Sequence, residues 1–235
     1  TAGNIVFSNT LNNNQTLALT AGTGDISFGG VVGGGTPLGA VTINSAAGVT
    51  ATSFSAASLT QSAGTGTTAL NGVVTLTGAL DLTTATIDIN ENVTTAGGLV
   101  DLNATTLVDL ASTKSITTTA AADSGTTSGK IDIDVSGTGT VNLAGNLVST
   151  GANHASGAGS TAGIVTIDTV GGTIAVKDIT SSGGNSTGVA GGAAAAITLN
   201  TGGQTITLNG NLTAAGGTGS SQGAGATITV SDAAE

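Results

Sequence analysis

The sequence predicts an all-β protein whose short strands wind into a stacked coil, a β-solenoid. β-Branched residues alternate with Thr, Asp, Ser or Asn along most of the chain, which is the period of a β-strand. These strand patterns recur about every twenty residues, the length expected for one coil of three short strands and three corners. Outside a glycine-flanked run at 191–196, no window has the 3.6-residue apolar period of a helix.

The clearest coil lies at 196–217, with the sequence AITLNTGGQTITLNGNLTAAGG. A first strand carries Ile197 and Leu199, and a Gly-Gly turn separates it from a second strand with Ile206 and Leu208. An Asn-Gly-Asn corner then leads to a third strand that begins at Leu212. Such a unit buries its apolar face only by stacking on its neighbours, so the sequence predicts a repeat protein.

The coil length changes along the chain. Between the first strong strand residues of successive units, the spacings are 21, 23, 21, 19, 21 and 21 residues, and then 34, 32 and 31. We therefore predict about ten coils in one continuous domain, with coils of about 21 residues over 1–130 and coils of 31–34 residues over 131–235. The first strand residues are Ile5, Ile26, Val49, Leu70, Ile89, Leu110, Ile131, Val165, Ile197 and Ile228.

The extra length of the later coils lies in three segments rich in Gly, Ala and Ser, at 149–163, 181–195 and 214–226. Apart from Val189, these segments contain no Val, Leu or Ile. They recur at one position of three successive coils, so they are expected to protrude from the same corner and to stack. We call the predicted ridge the fin.

Two sets of residues are expected to align between coils. Asn146, Asp178 and Asn211 each precede a strand-opening Leu or Ile, which indicates corners where short polar side chains bind the backbone. Phe7 and Phe28 each lie two positions after a first strand residue, so they are expected to stack inside the core.

Composition excludes several classes of protein. Cys, Arg, Trp and Tyr are absent, charged residues make up 7% of the chain, and the net charge is −10. The three lysines are scattered, so no basic stripe is available for a nucleic acid. No apolar run approaches the roughly 18 residues of a membrane-spanning helix. The absence of Cys fits an exported bacterial protein at least as well as a cytosolic one.

Catalytic residues are scarce, and we predict that the chain is not an enzyme. His154, the only histidine, lies in a Gly-rich loop and is expected to be exposed to solvent. Several acids alternate with apolar residues and are therefore expected to point outward and solubilise the sheet. A carbohydrate cleft would also need aromatic side chains and Arg, which are missing. The acids considered are Asp88, Glu91, Asp101, Asp109, Asp132 and Asp134.

Calcium is the metal that outward carboxylates would favour, because it binds hard oxygen ligands. Asp132 and Asp134 are the candidate ligands, and no other cofactor is expected. The glycine- and aspartate-rich nonapeptide of calcium-binding β-rolls is missing from the chain. Rows of outward Thr favour an ice-binding surface only weakly, since Asp, Asn, Ala and Ser interrupt them.

Residues 24–43, GDISFGGVVGGGTPLGAVTI, and the repeat style of the whole chain resemble the β-strand repeats of large bacterial exoproteins. These are the filamentous-haemagglutinin-like and autotransporter-passenger proteins. The resemblance implies a right-handed parallel β-helix, export from a Gram-negative bacterium and a place at the cell surface. No catalytic or binding residue carries over from it, and the coils of 31–34 residues depart from the shorter repeats of that group.

Two functions follow as hypotheses. The first is an extracellular stalk, or a repeating subunit of a surface fibre or biofilm matrix, because strand edges at the ends of a β-solenoid pair with further coils or further copies. Its partners would be copies of itself, end to end or side by side, or flanking repeats. The second is an adhesin that presents the fin to a host, a cell or a polysaccharide.

Overall fold

The computed structural model describes residues 3–233, and their regular structure is entirely β, with 22 strands in one sheet. None of the residues from 3 to 233 lies in a helix that could cross a membrane. The strands are β1 (Ile5–Phe7), β2 (Leu17–Thr20), β3 (Ile26–Phe28), β4 (Leu38–Ser45), β5 (Val49–Ala51), β6 (Phe54–Gln61), β7 (Thr67–Leu70), β8 (Val74–Leu76), β9 (Leu80–Ile89), β10 (Val93–Thr95), β11 (Val100–Leu110), β12 (Ser115–Thr117), β13 (Ile131–Val135), β14 (Thr140–Leu143), β15 (Asn146–Val148), β16 (Val165–Thr169), β17 (Ile174–Val176), β18 (Ile179–Thr180), β19 (Ile197–Asn200), β20 (Ile206–Leu208), β21 (Leu212–Thr213) and β22 (Ile228–Ser231).

All strand pairings are parallel, and they connect each coil to the next, which makes the fold a parallel β-helix and confirms the predicted class. Each coil has three faces. The first face begins with β1, the second with the single paired residue Leu11, and the third with β2. On the first face, nine segments stack: β1, β3, β5, β7, the end of β9, the end of β11, β14, β17 and β20.

The residue columns on these faces correct the predicted spacing. Leu110 lies on the first face and pairs with Leu143, whereas Ile131 lies on the third face and pairs with Val100. The predicted step from Leu110 to Ile131 therefore crosses between faces and is not a coil. Short alternating strands look alike on all three faces, so their sequence does not say which face they occupy.

Measured along one column of the first face, the coils contain 21, 23, 19, 19 and 21 residues and then 33, 33 and 32. The first long coil thus begins before residue 131, at Val108, and its extra residues are 118–130. The residues of this column are Ile5, Ile26, Val49, Thr68, Ile87, Val108, Val141, Ile174 and Ile206.

A single apolar core fills the coil. Val100, Ile131 and Val165 form part of one inward column, and all three are 0% exposed. Each fully buried side chain of this size contributes roughly 1.5–3 kcal/mol relative to an exposed one. Near the amino-terminal end, the rings of Phe7 and Phe28 are stacked, as predicted, with their centroids 5.2 Å apart. The ring of Phe54 packs edge-on against that of Phe28, with a centroid distance of 5.6 Å.

Some corners carry the predicted polar ladders. Asp178 Oδ1 accepts a hydrogen bond from the backbone N–H of Asn211 at 2.9 Å, which confirms that pair. The side-chain Oδ1 of Asn146 is buried and accepts no hydrogen bond. Another ladder runs along the fin, where Asn153 Oδ1 accepts from the N–H of Asn185, and Asn185 Oδ1 accepts from the N–H of Thr218.

The fin is a bundle of extended chains held by backbone hydrogen bonds. Each Gly-rich segment runs outward, turns and returns, and its two limbs contact each other as well as the segments of adjacent coils. Gly151 N–H donates to Ser182 of the next coil at 2.8 Å, and Ser160 N–H donates to Ala152 of the same coil at 2.9 Å. A third direction of bonding joins Gly184 N–H to Ser160 at 2.9 Å. These segments form no strands, because hydrogen bonds in several directions do not make a β-ladder.

The structure adds a fourth layer to the three predicted ones. Residues 118–130 lie against 149–163, and the N–H groups of Thr118, Asp123 and Ser128 donate to carbonyls of that segment or its flank at 2.9–3.0 Å. At the base of the fin, Ser149 and Ser181 are completely buried. Their hydroxyls donate to the carbonyls of Gly129 and Gly163 respectively, both at 2.9 Å.

Candidate functional site

Acidic side chains form two adjacent outward columns on the third face. In the first column Asp81 pairs with Asp101, and Asp101 pairs with Asp132. In the second column Asp134 pairs with Asp168. Within a strand these positions are two residues apart, so the columns lie side by side on the same surface. We call these five residues the acidic ladder.

The ladder brings three carboxylates close together. One oxygen from each of Asp101, Asp132 and Asp134 lies within 4.8 Å of the others. The sequence predicted the pair Asp132 and Asp134, and the structure adds Asp101, which reaches the same place from the preceding coil. Asp101 was a candidate acid, but its distance to the pair depends on the pairing of β11 with β13, which the sequence spacing does not give.

Two polar side chains already bind this cluster. Lys130 Nζ lies 2.6 Å from Asp132 Oδ2, and Asn103 Nδ2 donates to Asp101 Oδ1 at 2.7 Å. These contacts offset part of the repulsion between the carboxylates. A calcium ion would find oxygen ligands here, which fits its chemistry, but it would have to compete with Lys130 and Asn103 for two of the oxygens.

The pKa of Asp134 is raised above its ordinary value, first because burial removes water from the carboxylate, and then because Asp132, Asp168 and Asp101 are negative neighbours. The Lys130 ammonium opposes this shift. The pKa of Asp81 is raised in the same direction, by burial and by Asp101. At neutral pH the charged carboxylates of Asp134 and Asp81 therefore lower the stability of the fold.

A shallow groove of about 600 Å³ borders the second column. Asp134 and Asp168 line one side of it, together with Asn200, which pairs with Asp168 on the next coil. Val170 and Gly202 line the turn beyond the strands. The groove offers carboxylate and amide oxygens and small apolar side chains, and its lining contains no aromatic ring, His or Lys.

The remaining acidic candidates lie apart from this cluster. Asp88 and Asp109 pair with each other on the first face, and Asp109 Oδ1 accepts a hydrogen bond from Asn142 Nδ2 at 2.6 Å. Glu91 binds Lys114 with an oxygen-to-Nζ distance of 2.7 Å, and the lysine lowers the pKa of the glutamate. Lys114 and Lys130, two of the three lysines in the chain, are therefore paired with acids.

The prediction that His154 is exposed to solvent is wrong. Its side chain is 14% exposed, and its Nδ1 lies 3.2 Å from Oδ1 of Asp123. The two atoms are not hydrogen bonded to each other. The same Asp123 oxygen instead accepts a hydrogen bond from the backbone N–H of Ala155 at 2.7 Å. Stacking of 118–130 on 149–163 brings the two residues together. Over residues 3–233, no hydroxyl is hydrogen bonded to His154, so this contact lacks the nucleophile of a catalytic triad.

The end coils form the second surface of interest. Leu208 and Val230 occupy core columns in the last described coil, yet each is 46% exposed. Their partners one coil earlier, Val176 and Leu199, are 0% exposed. The difference arises because no further coil covers β20 and β22 in the described structure.

Comparison with models of protein families, with curated proteins and with solved structures gives no match to this chain.

Proposed function

We propose that the chain is a structural, extracellular β-solenoid that serves as a stalk, or as a repeating subunit, of a fibre or matrix on the surface of a Gram-negative bacterium. The observation that carries this proposal is one apolar core that continues through nine stacked coils. Nine coils stacked about 4.8 Å apart give a rod on the order of 40 Å long. Backbone hydrogen bonds along the whole rod axis make it suited to bearing load.

The fin adds to the stiffness of the rod. Its segments are joined by backbone hydrogen bonds in three directions, and Ser149 and Ser181 tie its base to the coil. A loop that recognised a ligand by adapting its shape would be expected to make fewer such bonds. This construction favours a structural role for the fin over a flexible binding loop.

Export is supported by the sequence. The chain has no Cys, and its three lysines and lack of Arg leave few sites for proteases of trypsin-like specificity. An antibody raised against the chain should label intact cells of the producing bacterium and the matrix shed from them. Labelling that requires lysis of the cells would contradict an extracellular location.

An adhesin is the second candidate, and the observation that favours it is the exposed tip of the fin. Ser156 and Val189 lie at this tip and are exposed. The variants S156K and V189K change the charge of the tip without altering the packed limbs. Loss of adhesion with an intact rod would favour the adhesin. The matched control is V73K, because Val73 is an equally apolar, exposed residue on the side of the rod.

We further propose that the chain is not an enzyme. The lining of the groove beside the acidic ladder contains no His to serve as a base, the nearby Lys130 amine is held by Asp132, and the groove is shallow. Turnover of a polysaccharide that disappears in D132N, D134N or D88N would overturn this part of the proposal.

A further inference from the structure

The fin contains three ionisable side chains across its four layers, namely Asp123, Lys130 and His154. Lys130 lies at the base of the fin, where its Nζ is 2.6 Å from an oxygen of Asp132. The other two meet near the turn of the first layer, where Nδ1 of His154 lies 3.2 Å from Oδ1 of Asp123. The outer fin therefore holds one acid and one base, and the fold brings them into contact.

The turn at 119–127 is attached to the fin at one residue, and we call it the outer turn. Its residues 121–127 are all exposed. All hydrogen bonds that join it to the neighbouring layer in the described structure involve Asp123. The N–H of Asp123 donates to the carbonyl of Asn153 at 3.0 Å, and its Oδ1 accepts from the N–H of Ala155 at 2.7 Å. A segment so exposed and with so few bonds opens locally at a lower free energy than the packed coil.

His154 is fixed on the opposite side of this contact. Its backbone N–H donates to the carbonyl of Asn185 at 2.8 Å, and its side chain is 14% exposed. The ring lies against two glycines, since a Cβ at Gly157 would be 2.8 Å from Nδ1 and one at Gly125 would be 3.8 Å from Nε2. The imidazole is therefore wedged between its own segment and the outer turn.

We infer that Asp123 and His154 form a pH-dependent latch that holds the outer turn on the fin. A protonated imidazole places a positive charge beside the Asp123 carboxylate and closes the latch. A neutral imidazole offers that carboxylate no charge, and the structure has no hydrogen bond between the two side chains. Histidine is the side chain whose charge ordinarily changes between pH 5 and pH 8. The latch goes beyond the proposed function, since it concerns the fin of a single chain.

The direction of the effect follows from the charges around the ring. The segments packed against it are 118–130, 149–163 and 181–195, and their one further ionisable side chain is Lys130, which is bound to Asp132 at the base. Asp123 therefore sets the charge that the ring meets. The latch is closed while the imidazole is protonated, and it loosens as the pH rises and the imidazole loses its proton.

The size of the effect follows from exposure. The side chain of Asp123 is 56% exposed, so water screens the contact as it screens a surface ion pair. We expect the local opening of the outer turn to change about two- to fivefold between the two charge states of the imidazole. The base of this layer should respond little, because the bond from the N–H of Ser128 to Thr161 involves neither latch residue.

Amide exchange of the purified chain tests the latch. The N–H groups of Asp123 and Ala155 report it, because their hydrogen bonds form only while the outer turn lies on the fin. Each exchange rate is divided by the intrinsic rate of that amide at the same pH. We expect both amides to be about two- to fivefold better protected at about pH 5.5 than at about pH 8. The amide of Ser128 is the internal reference.

Two variants remove one charge each. In H154Q the side chain no longer titrates, and in D123N an amide oxygen remains to accept the N–H of Ala155. Both should lose the pH dependence of the outer turn while their circular dichroism stays that of the parent. The matched control is D134N, because the pKa of Asp134, which burial raises, makes the whole fold respond to pH. D134N should keep the pH dependence of the outer turn.

Equal protection of the two reporter amides at both pH values in the parent would overturn the latch. A pH difference that survives in either H154Q or D123N would overturn it as well. Salt provides a test on the parent chain, which holds even if a variant fails to fold. The pH difference should shrink in about 1 M salt, because salt screens exposed charges. A difference that salt leaves unchanged would show that the two charges do not hold the turn.

Discussion

Inside the core, Thr68 Oγ1 donates a hydrogen bond of 2.5 Å to Oε1 of Gln61. Both residues interrupt apolar columns: Gln61 lies between Ile43 and Leu82 on successive coils, and Thr68 between Val49 and Ile87. Gln61 Nε2 is buried without a hydrogen-bond partner. The pair therefore satisfies one acceptor and leaves two donor hydrogens unpaired.

Replacing both residues by apolar ones should stabilise the rod. We expect Q61L/T68V to raise the free energy of unfolding by about 1–3 kcal/mol, because it removes a buried, unpaired amide. T68V alone should lower the free energy, because Gln61 Oε1 then loses its donor while remaining buried. Urea unfolding of the single and double variants measures both effects. A double variant less stable than T68V would contradict this account.

Alanine at Gly184 should damage the fin. A Cβ at this position would lie 2.0 Å from the carbonyl oxygen of Ala152, so the neighbouring limb would have to move. We expect G184A to lower the free energy of unfolding by about 1–3 kcal/mol and to speed amide exchange in 149–163. The matched control is G188A at the tip, where a Cβ meets nothing within 4 Å. Equal effects of the two variants would show that the fin is loosely packed.

Stability should rise on mild acidification. The pKa of Asp134 is raised in the folded state, chiefly by burial, so the folded state binds more protons than the unfolded state once the pH falls toward that pKa. The stabilisation grows as the pH falls through the raised pKa and is complete below the unfolded value of 3.8. Asp81 contributes in the same direction, and Glu91, whose pKa is lowered, opposes it.

The variant D134N should therefore have a higher Tm than the parent at pH 7 and a smaller gain in Tm on acidification to about pH 4.5. D88N provides the control, since it also removes one negative charge but lies on the first face. The account of the ladder would be wrong if D88N and D134N changed the pH dependence of Tm equally.

Removal of divalent cations should leave the rod folded. Lys130 and Asn103 already bind oxygens of Asp132 and Asp101, so the ladder does not depend on a metal to hold it together. We expect the same Tm in excess EDTA as in 1 mM calcium at constant ionic strength. A lower Tm in EDTA that calcium restores in the parent, but not in D132N/D134N, would instead establish a calcium site.

The sequence predicted the class of fold and the stacked aromatic rings, because alternation and coil length are local patterns. It did not assign strands to faces: Leu110 and Ile131 have similar surroundings in sequence but lie on different faces. That error hid the fourth layer of the fin at 118–130. It also hid the contact of His154 with Asp123, which depends on that layer.

The packing of the fin was predicted only as stacking. Gly184 and Gly217 could have indicated more, because glycines that recur at the same position of successive coils mark places where backbones approach closely. The acidic ladder was predicted only in part, because one of its members is brought into place by the pairing of strands. Asp132 and Asp134 are two residues apart in one strand, whereas Asp101 joins them only through the register of β11 and β13.

Electron microscopy of the purified chain over a range of concentrations tests the central claim, that these coils stack beyond one copy. The account predicts filaments that lengthen with concentration, with an axial spacing of about 4.8 Å. Short, separate rods at every concentration would contradict it.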